Sequence, residues 1–134
     1  MSVKQQVDTF LTSPVIGVVG ASSNPGKFGN KVLRCYLENN RKVVPVHPKE
    51  AEIEGLSCVA SVAELPDEVK SISVITPPQV TEKVVEMAAT KGIENVWMQP
   101  GAESPAAVEF CREKGINVIY GGTCVLVELG FGNH

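Results

Sequence analysis

Five short apolar segments, each followed by a loop of glycine, proline or polar residues, recur along the 134-residue chain. They lie at residues 15–19, 43–46, 72–75, 96–98 and 118–120. Strands that are apolar on both faces are typical of a parallel sheet with helices on either side. This pattern restricts the chain to folds in which parallel strands alternate with crossover helices.

Amphipathic segments between these strands have the apolar faces that crossover helices require. One such face consists of Val32, Leu33, Tyr36 and Leu37, and another consists of Val80, Val84, Val85 and Ala88. A further helix is expected within residues 1–13, packed on the sheet. We predict an α/β, Rossmann-like fold with a doubly wound parallel sheet of about five strands in the order 3-2-1-4-5. Residues 1–134 are expected to form this single domain.

The loop after the first predicted strand, residues 20–27, is rich in glycine and small residues, and a helix is expected to begin near Phe28. Glycines let a backbone approach a phosphate closely, and a helix N-terminus offers free N–H groups. The spacing departs from the G-x-G-x-x-G fingerprint, since Gly17 and Gly20 flank two residues and Ser-Ser-Asn-Pro precedes Gly26. This glycine-rich loop therefore indicates a phosphorylated ligand other than plain NAD.

Composition and charge limit the kinds of partner. A net charge of −3 gives nucleic acid no reason to bind non-specifically. No apolar run approaches the roughly 20 residues that span a bilayer, so no membrane partner is expected. Residues 1–50 carry seven Lys or Arg against three Asp or Glu, and residues 51–134 carry five against twelve. The basic excess around the glycine-rich loop favours an anionic ligand, although scattered solvated lysines explain it equally well.

The four cysteines lie far apart and include no C-x-x-C pair. This argues against disulfides and against a metal site, and it fits a reducing compartment. The N-terminus also lacks the apolar core of a signal peptide. A cytoplasmic protein is therefore expected, and a homodimer is left open.

Ligands of open α/β sheets bind beyond the carboxyl ends of the strands, at the switch point, here predicted between the first and fourth strands. Residues at these strand ends are therefore the candidate contacts. They are Gly20, Ala21, Ser22, Ser23, Asn24 and Lys27 after the first strand; His47, Pro48 and Lys49 after the second; Thr76, Pro77 and Pro78 after the third; Met98, Gln99 and Pro100 at the fourth; and Cys124 after the fifth.

Lys49 stands near the position where NAD-binding proteins carry an acidic residue for the ribose hydroxyls. We interpret it as a phosphate contact, and a solvated loop lysine is the alternative. Pro77 and Pro78 suit a stiff apolar wall for a ligand, but proline is also common at the start of any helix.

Five segments resemble, in order, successive motifs of the stand-alone CoA-binding domain proteins, which are similar to the N-terminal domain of the succinyl-CoA ligase alpha subunit. These segments are residues 18–27, 44–49, 75–78, 96–101 and 121–124, and the resemblance runs from about Pro14 to Leu129. It implies that residues 20–27 and Lys49 hold the phosphates of coenzyme A or an acyl-CoA. It also implies that residues 76–78 and 98–100 border the ligand. Residues 120–124 depart from the pattern, because glycines replace a charged residue common before the cysteine.

The residues predict no catalytic constellation. His47 precedes a proline, His134 is terminal, and no acidic pair, metal spacing or G-x-S-x-G elbow occurs. The ligase family phosphorylates a histidine on a second domain, which this chain is expected to lack. The leading hypothesis is a CoA-binding module without chemistry of its own. The alternatives are an NAD(P)-dependent oxidoreductase and a redox-sensing protein that forms a mixed disulfide with CoA at Cys124.

Overall fold

A parallel sheet of five strands forms the centre of the protein, of which the computed structural model describes residues 1–131. In chain order, the elements are α1 (Val3–Leu11), β1 (Val15–Val19), α2 (Phe28–Glu38), β2 (Lys42–Val46), β3 (Glu52–Ile53), β4 (Leu56–Ser57), a 3₁₀ turn (Val62–Glu64), β5 (Ser71–Val74), α3 (Pro78–Lys91), β6 (Asn95–Met98), α4 (Pro105–Glu113), β7 (Asn117–Ile119) and α5 (Val125–Leu129). The hairpin of β3 and β4 lies outside this sheet. The α/β class and the five-stranded parallel sheet are confirmed. His134 lies outside the described residues.

The strand order is β2-β1-β5-β6-β7. When these five strands are numbered 1 to 5 along the chain, the order is 2-1-3-4-5. The predicted order 3-2-1-4-5 is therefore wrong in the place of its third strand. β5, the third strand of this sheet along the chain, pairs with β1 and does not lie outside β2. β2 is an edge strand, and its Pro45 has no N–H to donate to a further strand. All four residues of β5 are buried, as a central strand requires. The switch point therefore lies between β1 and β5, not between the first and fourth strands.

Helices cover both faces of the sheet. On one face, α1, α2 and α5 contribute Val7, Val32 and Val125 to a buried cluster around Trp97 of β6. On the other, α3 and α4 pack with the 3₁₀ turn over β5 and β6. This arrangement leaves the carboxyl ends of the central strands open to the loops that follow them.

Local sequence signals set the helix starts nearest that open edge. Pro78 occupies the first turn of α3, where its fixed φ suits the helix and its missing N–H costs nothing. Ser104 caps α4 by accepting a hydrogen bond at Oγ from the backbone N–H of Ala107 at 3.3 Å. Within residues 1–131, none of the helices combines the length and apolarity that crossing a bilayer would require.

Candidate functional site

A cavity of about 590 Å³ opens at the switch point, between the loops that follow β1 and β5. Five segments line it: the glycine-rich loop with the start of α2, the residues after β2, residues 60–62, the residues after β5, and one face of α3. Half of the predicted contact residues lie in its wall, namely Gly20, Ala21, Ser22, Lys27, His47, Pro48, Thr76 and Pro77. The tertiary structure therefore brings residues from the first three predicted strand ends into one site.

Gly20 and Gly29 bring the loop and the helix into direct backbone contact. A methyl group on Gly29 would lie 2.0 Å from the carbonyl oxygen of Gly20, and one on Gly20 would lie 2.3 Å from that of Ile75. Gly20 also has a φ of 94°, which other residues rarely adopt. Gly29 was not among the predicted contacts, although a glycine in the first turn of a helix after such a loop was an available signal. Gly29 therefore allows the N-terminus of α2 to approach the loop after β1, and Gly20 allows that loop to approach the residue after β5.

The N-terminus of α2 is open toward the cavity. Lys27 is its N-cap residue, and no side chain caps the helix. The backbone N–H groups of Phe28 and Gly29 have no hydrogen-bond partner within residues 1–131, and both residues line the cavity. Free N–H groups and the positive end of the helix dipole attract an anion, and the charge of Lys27 adds to this field. The arrangement suits a phosphate group.

The side chains of Ser23 and Asn24 shape the loop and do not line the cavity. Asn24 Oδ1 accepts a hydrogen bond from the N–H of Gly26 at 2.9 Å, and the N–H of Asn24 donates to Ser22 Oγ at 3.1 Å. Ser23 Oγ donates to Glu50 Oε1 at 2.7 Å, which joins the loop to the residues after β2. These two predicted contact residues therefore stabilise the loop conformation through their side chains.

His47 contributes a ring of defined orientation to the cavity wall. Its Nδ1 accepts hydrogen bonds from the backbone N–H groups of Lys49 at 3.0 Å and Glu50 at 2.9 Å. The neutral ring therefore carries its proton on Nε2, which leaves Nε2–H as a donor. Lys49 itself is exposed and lies outside the cavity wall, so its predicted phosphate contact requires a ligand that extends to the rim.

An apolar wall opposite the glycine-rich loop was missed by the sequence-based prediction. It consists of Val80, Val84 and Met87 on α3, together with Val62 of the 3₁₀ turn, which packs on α3. Val80 and Met87 are 43% and 37% exposed, which is high for large apolar side chains. The sequence predicted Val80 and Val84 on the apolar face of this helix, but the candidate contacts were taken only from the loops after the strands. The cavity thus has one polar side and one apolar side.

The last predicted contacts lie elsewhere. Met98 and Gln99 are completely buried. Gln99 Nε2 donates to Ser73 Oγ at 3.1 Å, and Gln99 Oε1 accepts from the N–H of Val125 at 3.0 Å. Gln99 therefore joins β5 to the start of α5. Three more predicted contacts lie outside the cavity wall: exposed Pro100, Pro78 in the first turn of α3, and partly buried Cys124 at the N-cap of α5.

The cysteines differ in their surroundings. Burial raises the pKa of both the Cys35 and the Cys111 thiol to about 11, and Glu38 and Cys124 add to the effect at Cys35. Cys35 Sγ donates a weak hydrogen bond to the carbonyl oxygen of Val125 at 3.7 Å. Within the described residues, no cluster of three or more His, Cys, Asp or Glu is arranged to hold a metal ion.

Comparison with known proteins finds one matching family model and several similar proteins. A family model described as a CoA binding domain matches residues 15–130. The chain is 28% identical over 130 residues to subunit alpha of the ADP-forming acetate–CoA ligase II of Pyrococcus furiosus, covering 89% of this chain and 28% of that subunit. It is 32% identical over 79 residues to the ADP-forming acetate–CoA ligase of Methanocaldococcus jannaschii, covering 59% of this chain and 11% of that protein. The chain thus spans less than a third of these curated relatives.

Solved structures of similar length have the same fold. A conserved hypothetical protein from Pyrococcus furiosus is 42% identical, with a TM-score of 0.81 over 84% of this chain and 97% of that one. A hypothetical protein from Pyrococcus horikoshii OT3 is 29% identical, with a TM-score of 0.88 over 96% of this chain and 89% of that one.

Proposed function

The chain belongs to the CoA-binding domain family, and from this we propose that its cavity binds coenzyme A or an acyl-CoA without catalysing a reaction of its own. One observation carries the proposal. The unpartnered N–H groups at the start of α2, the close-packed glycine-rich loop and Lys27 all border the same cavity. This is the arrangement that a pyrophosphate needs.

In this proposal the pyrophosphate lies against residues 20–22 and the first turn of α2. His47 Nε2–H donates to a ligand oxygen, and Lys49 at the rim contacts the 3′-phosphate. The less polar part of the ligand packs against Pro77 and the apolar wall of α3. Met98, Gln99, Pro100 and Cys124 lie outside the cavity wall and have no part in this arrangement. Their contacts with the ligand remain predictions.

The wall chemistry supports binding without a reaction. Within residues 1–131, no carboxylate and no cysteine lines the cavity. The one imidazole there uses Nδ1 to accept two backbone hydrogen bonds, so it is held as a donor. Acid–base or nucleophilic catalysis needs a titratable group with a base or acid beside it, and this wall offers no such pair.

A panel of ligands at matched concentration tests the proposal by thermal shift and titration calorimetry. CoA and acetyl-CoA should bind most tightly, dephospho-CoA less tightly because it lacks the 3′-phosphate, and NAD least. A ligand at 100 times its Kd stabilises a protein by about 2.7 kcal/mol, which such a panel detects readily. Binding of NADP but not CoA would refute the proposal in favour of an oxidoreductase, and no binding at all would refute a ligand role for the cavity.

A matched pair of variants localises the phosphates. Lys27→Glu reverses a charge in the cavity wall, and Lys31→Glu makes the same change one turn further along α2, outside that wall. A charge-assisted hydrogen bond contributes about 1.5–3 kcal/mol, so Lys27→Glu should weaken CoA binding about tenfold or more. Equal losses in the two variants would mean that only the general field, not a contact at Lys27, matters.

A further inference from the structure

Asn30, in the first turn of α2, is a completely buried polar residue behind the glycine-rich loop. Its Nδ2 donates to the carbonyl oxygen of Ser22 at 2.9 Å and to Glu54 Oε2 at 3.0 Å. Its Oδ1 accepts from Arg34 Nε at 2.6 Å. Both amide hydrogens and the oxygen are used, so the side chain has a single favourable orientation.

Arg34 and Glu54 extend this connection in two directions. Arg34 donates to the carbonyl oxygen of Pro25 at 3.3 Å, at the far end of the same loop, and its guanidinium lies 5.1 Å from the centroid of the Phe131 ring. Glu54 lies in the turn between β3 and β4, a hairpin that does not line the cavity. The loop is therefore connected through Asn30 to an element outside both the main sheet and the ligand site.

The backbone at Glu54 has an unfavourable conformation for its residue type. Its φ is 52°, in the left-handed region that glycine adopts without steric cost, and Gly55 follows with a φ of 77°. Two positive φ values in a two-residue hairpin turn favour glycine or asparagine, not glutamate. The feature of glutamate that the structure uses here is the carboxylate, which accepts from Asn30.

The carboxylate of Glu54 has two opposing effects on ligand binding. A carboxylate close to a phosphate site repels the ligand, so by Coulomb's law alone its removal should tighten binding. Its contribution through Asn30 has the opposite sign, because Asn30 in turn holds the carbonyl oxygen of Ser22 and so fixes the loop in the conformation that borders the cavity.

We infer that Glu54, acting through Asn30 together with Arg34, is a positioning residue that holds the glycine-rich loop in its binding conformation without touching the ligand. The part of this inference that concerns ligand affinity rests on the proposed function. The part that concerns loop order does not, and it is measured in the free protein.

Three variants test the inference. Glu54→Gly removes the carboxylate and relieves the strained φ. Glu54→Gln keeps an oxygen acceptor for Asn30 and removes only the charge. Glu52→Gln removes a charge from the same hairpin, where the Glu52 side chain makes no hydrogen bond with the described residues. Each variant is compared with the natural protein by melting temperature, by amide hydrogen exchange of residues 20–28 in the free protein, and by calorimetric titration with CoA.

Glu54→Gly should melt at the same temperature or higher, yet its loop amides should exchange about tenfold faster and its Kd for CoA should rise about tenfold. A merely structural role would move stability and affinity in the same direction. Glu54→Gln should remain within about threefold of the natural Kd, because the acceptor is kept. Glu52→Gln should leave loop exchange unchanged.

Two results would overturn the inference. One is that the amides of residues 20–28 exchange in Glu54→Gly at the same rate as in the natural protein. The other is that this variant binds CoA as tightly as the natural protein does, or more tightly. If the natural protein itself fails to bind CoA, the proposed function fails, and hydrogen exchange of residues 20–28 still decides whether Glu54 positions the loop.

Discussion

Replacing Gly29 with alanine forces a methyl group between the start of α2 and the loop after β1. The added methyl carbon would lie 2.0 Å from the carbonyl oxygen of Gly20 and 3.1 Å from its carbonyl carbon, against 3.4 Å for an ordinary contact. Both neighbouring atoms belong to the backbone, so no side chain can rotate away. Either the start of α2 or the end of β1 must move, by roughly 1 Å, which is the kind of rearrangement that overpacked cores undergo.

Two effects of opposite sign determine the magnitude. Alanine is a better helix former than glycine by about 1 kcal/mol, which alone would stabilise the variant. Overpacking costs about 1–3 kcal/mol, and more where backbone must move. Because the clash here is between backbone segments, we expect a net loss of about 2 kcal/mol. For a domain of this size this corresponds to a fall of roughly 5–10 °C in melting temperature.

Gly26→Ala is the matched control in the same loop. The nearest atom to its added methyl carbon is Asn24 Oδ1 at 3.4 Å, an ordinary contact with a side chain. The φ of Gly26 is also not positive, so alanine can adopt its backbone conformation. The control should therefore keep its stability or gain about 0.4–1 kcal/mol through the lower entropy of its unfolded state.

Thermal unfolding by circular dichroism and calorimetric titration with CoA measure both variants. Gly29→Ala should lose stability and most of its affinity, because the N–H groups at the start of α2 move away from the end of β1. If Gly29→Ala is as stable as the natural protein and binds CoA equally well, the close approach of loop and helix is not required, and the reasoning about this site is wrong.

Two further predictions concern the rim and the thiols. Lys49→Glu should weaken CoA binding about tenfold with little change in melting temperature. Binding of dephospho-CoA should weaken by a smaller factor. If calorimetry gives equal CoA affinities for the variant and the natural protein, Lys49 is an ordinary solvated lysine. Incubation with CoA disulfide at pH 8 should add one CoA mass at Cys124 and none at Cys35 or Cys111, since their pKa of about 11 keeps both protonated there. Both residues are also completely buried, which keeps CoA disulfide away from their thiols in the folded protein. Intact-mass analysis with no adduct at any cysteine would count against a mixed-disulfide role.

The sequence alone determined the five strands of the main sheet and the character of the first loop, but not the β3–β4 hairpin or α5. Short apolar runs with turn residues after them identify strands because backbone sterics and side-chain periodicity act within a few residues. The segment from Val15 to Phe28 predicted a strand, an anion-binding loop and a helix start for the same local reason. Gly20, Ala21, Ser22 and Lys27 lie at the cavity because they follow β1, whose carboxyl end lies at the switch point.

Strand order was decided by tertiary packing, although one local signal pointed to it. Pro45 has no N–H to donate, which favours an edge position for β2 and argues against the predicted place in the interior of the sheet. Which strand lies beside β1 depends on how the helices share the two faces, and no short segment contains that information. The error also moved the predicted switch point away from β5.

The far side of the site likewise depended on the tertiary structure. Val80, Val84 and Met87 face the glycine-rich loop only because β5 pairs with β1, which places α3 across the cavity. Gln99 follows a strand as the site residues do, yet its amide hydrogen-bonds inside the core with Ser73 and Val125. Local periodicity places a residue at the end of a strand, but whether its side chain turns to a ligand or into the core depends on partners distant in the chain, which only the folded structure brings together.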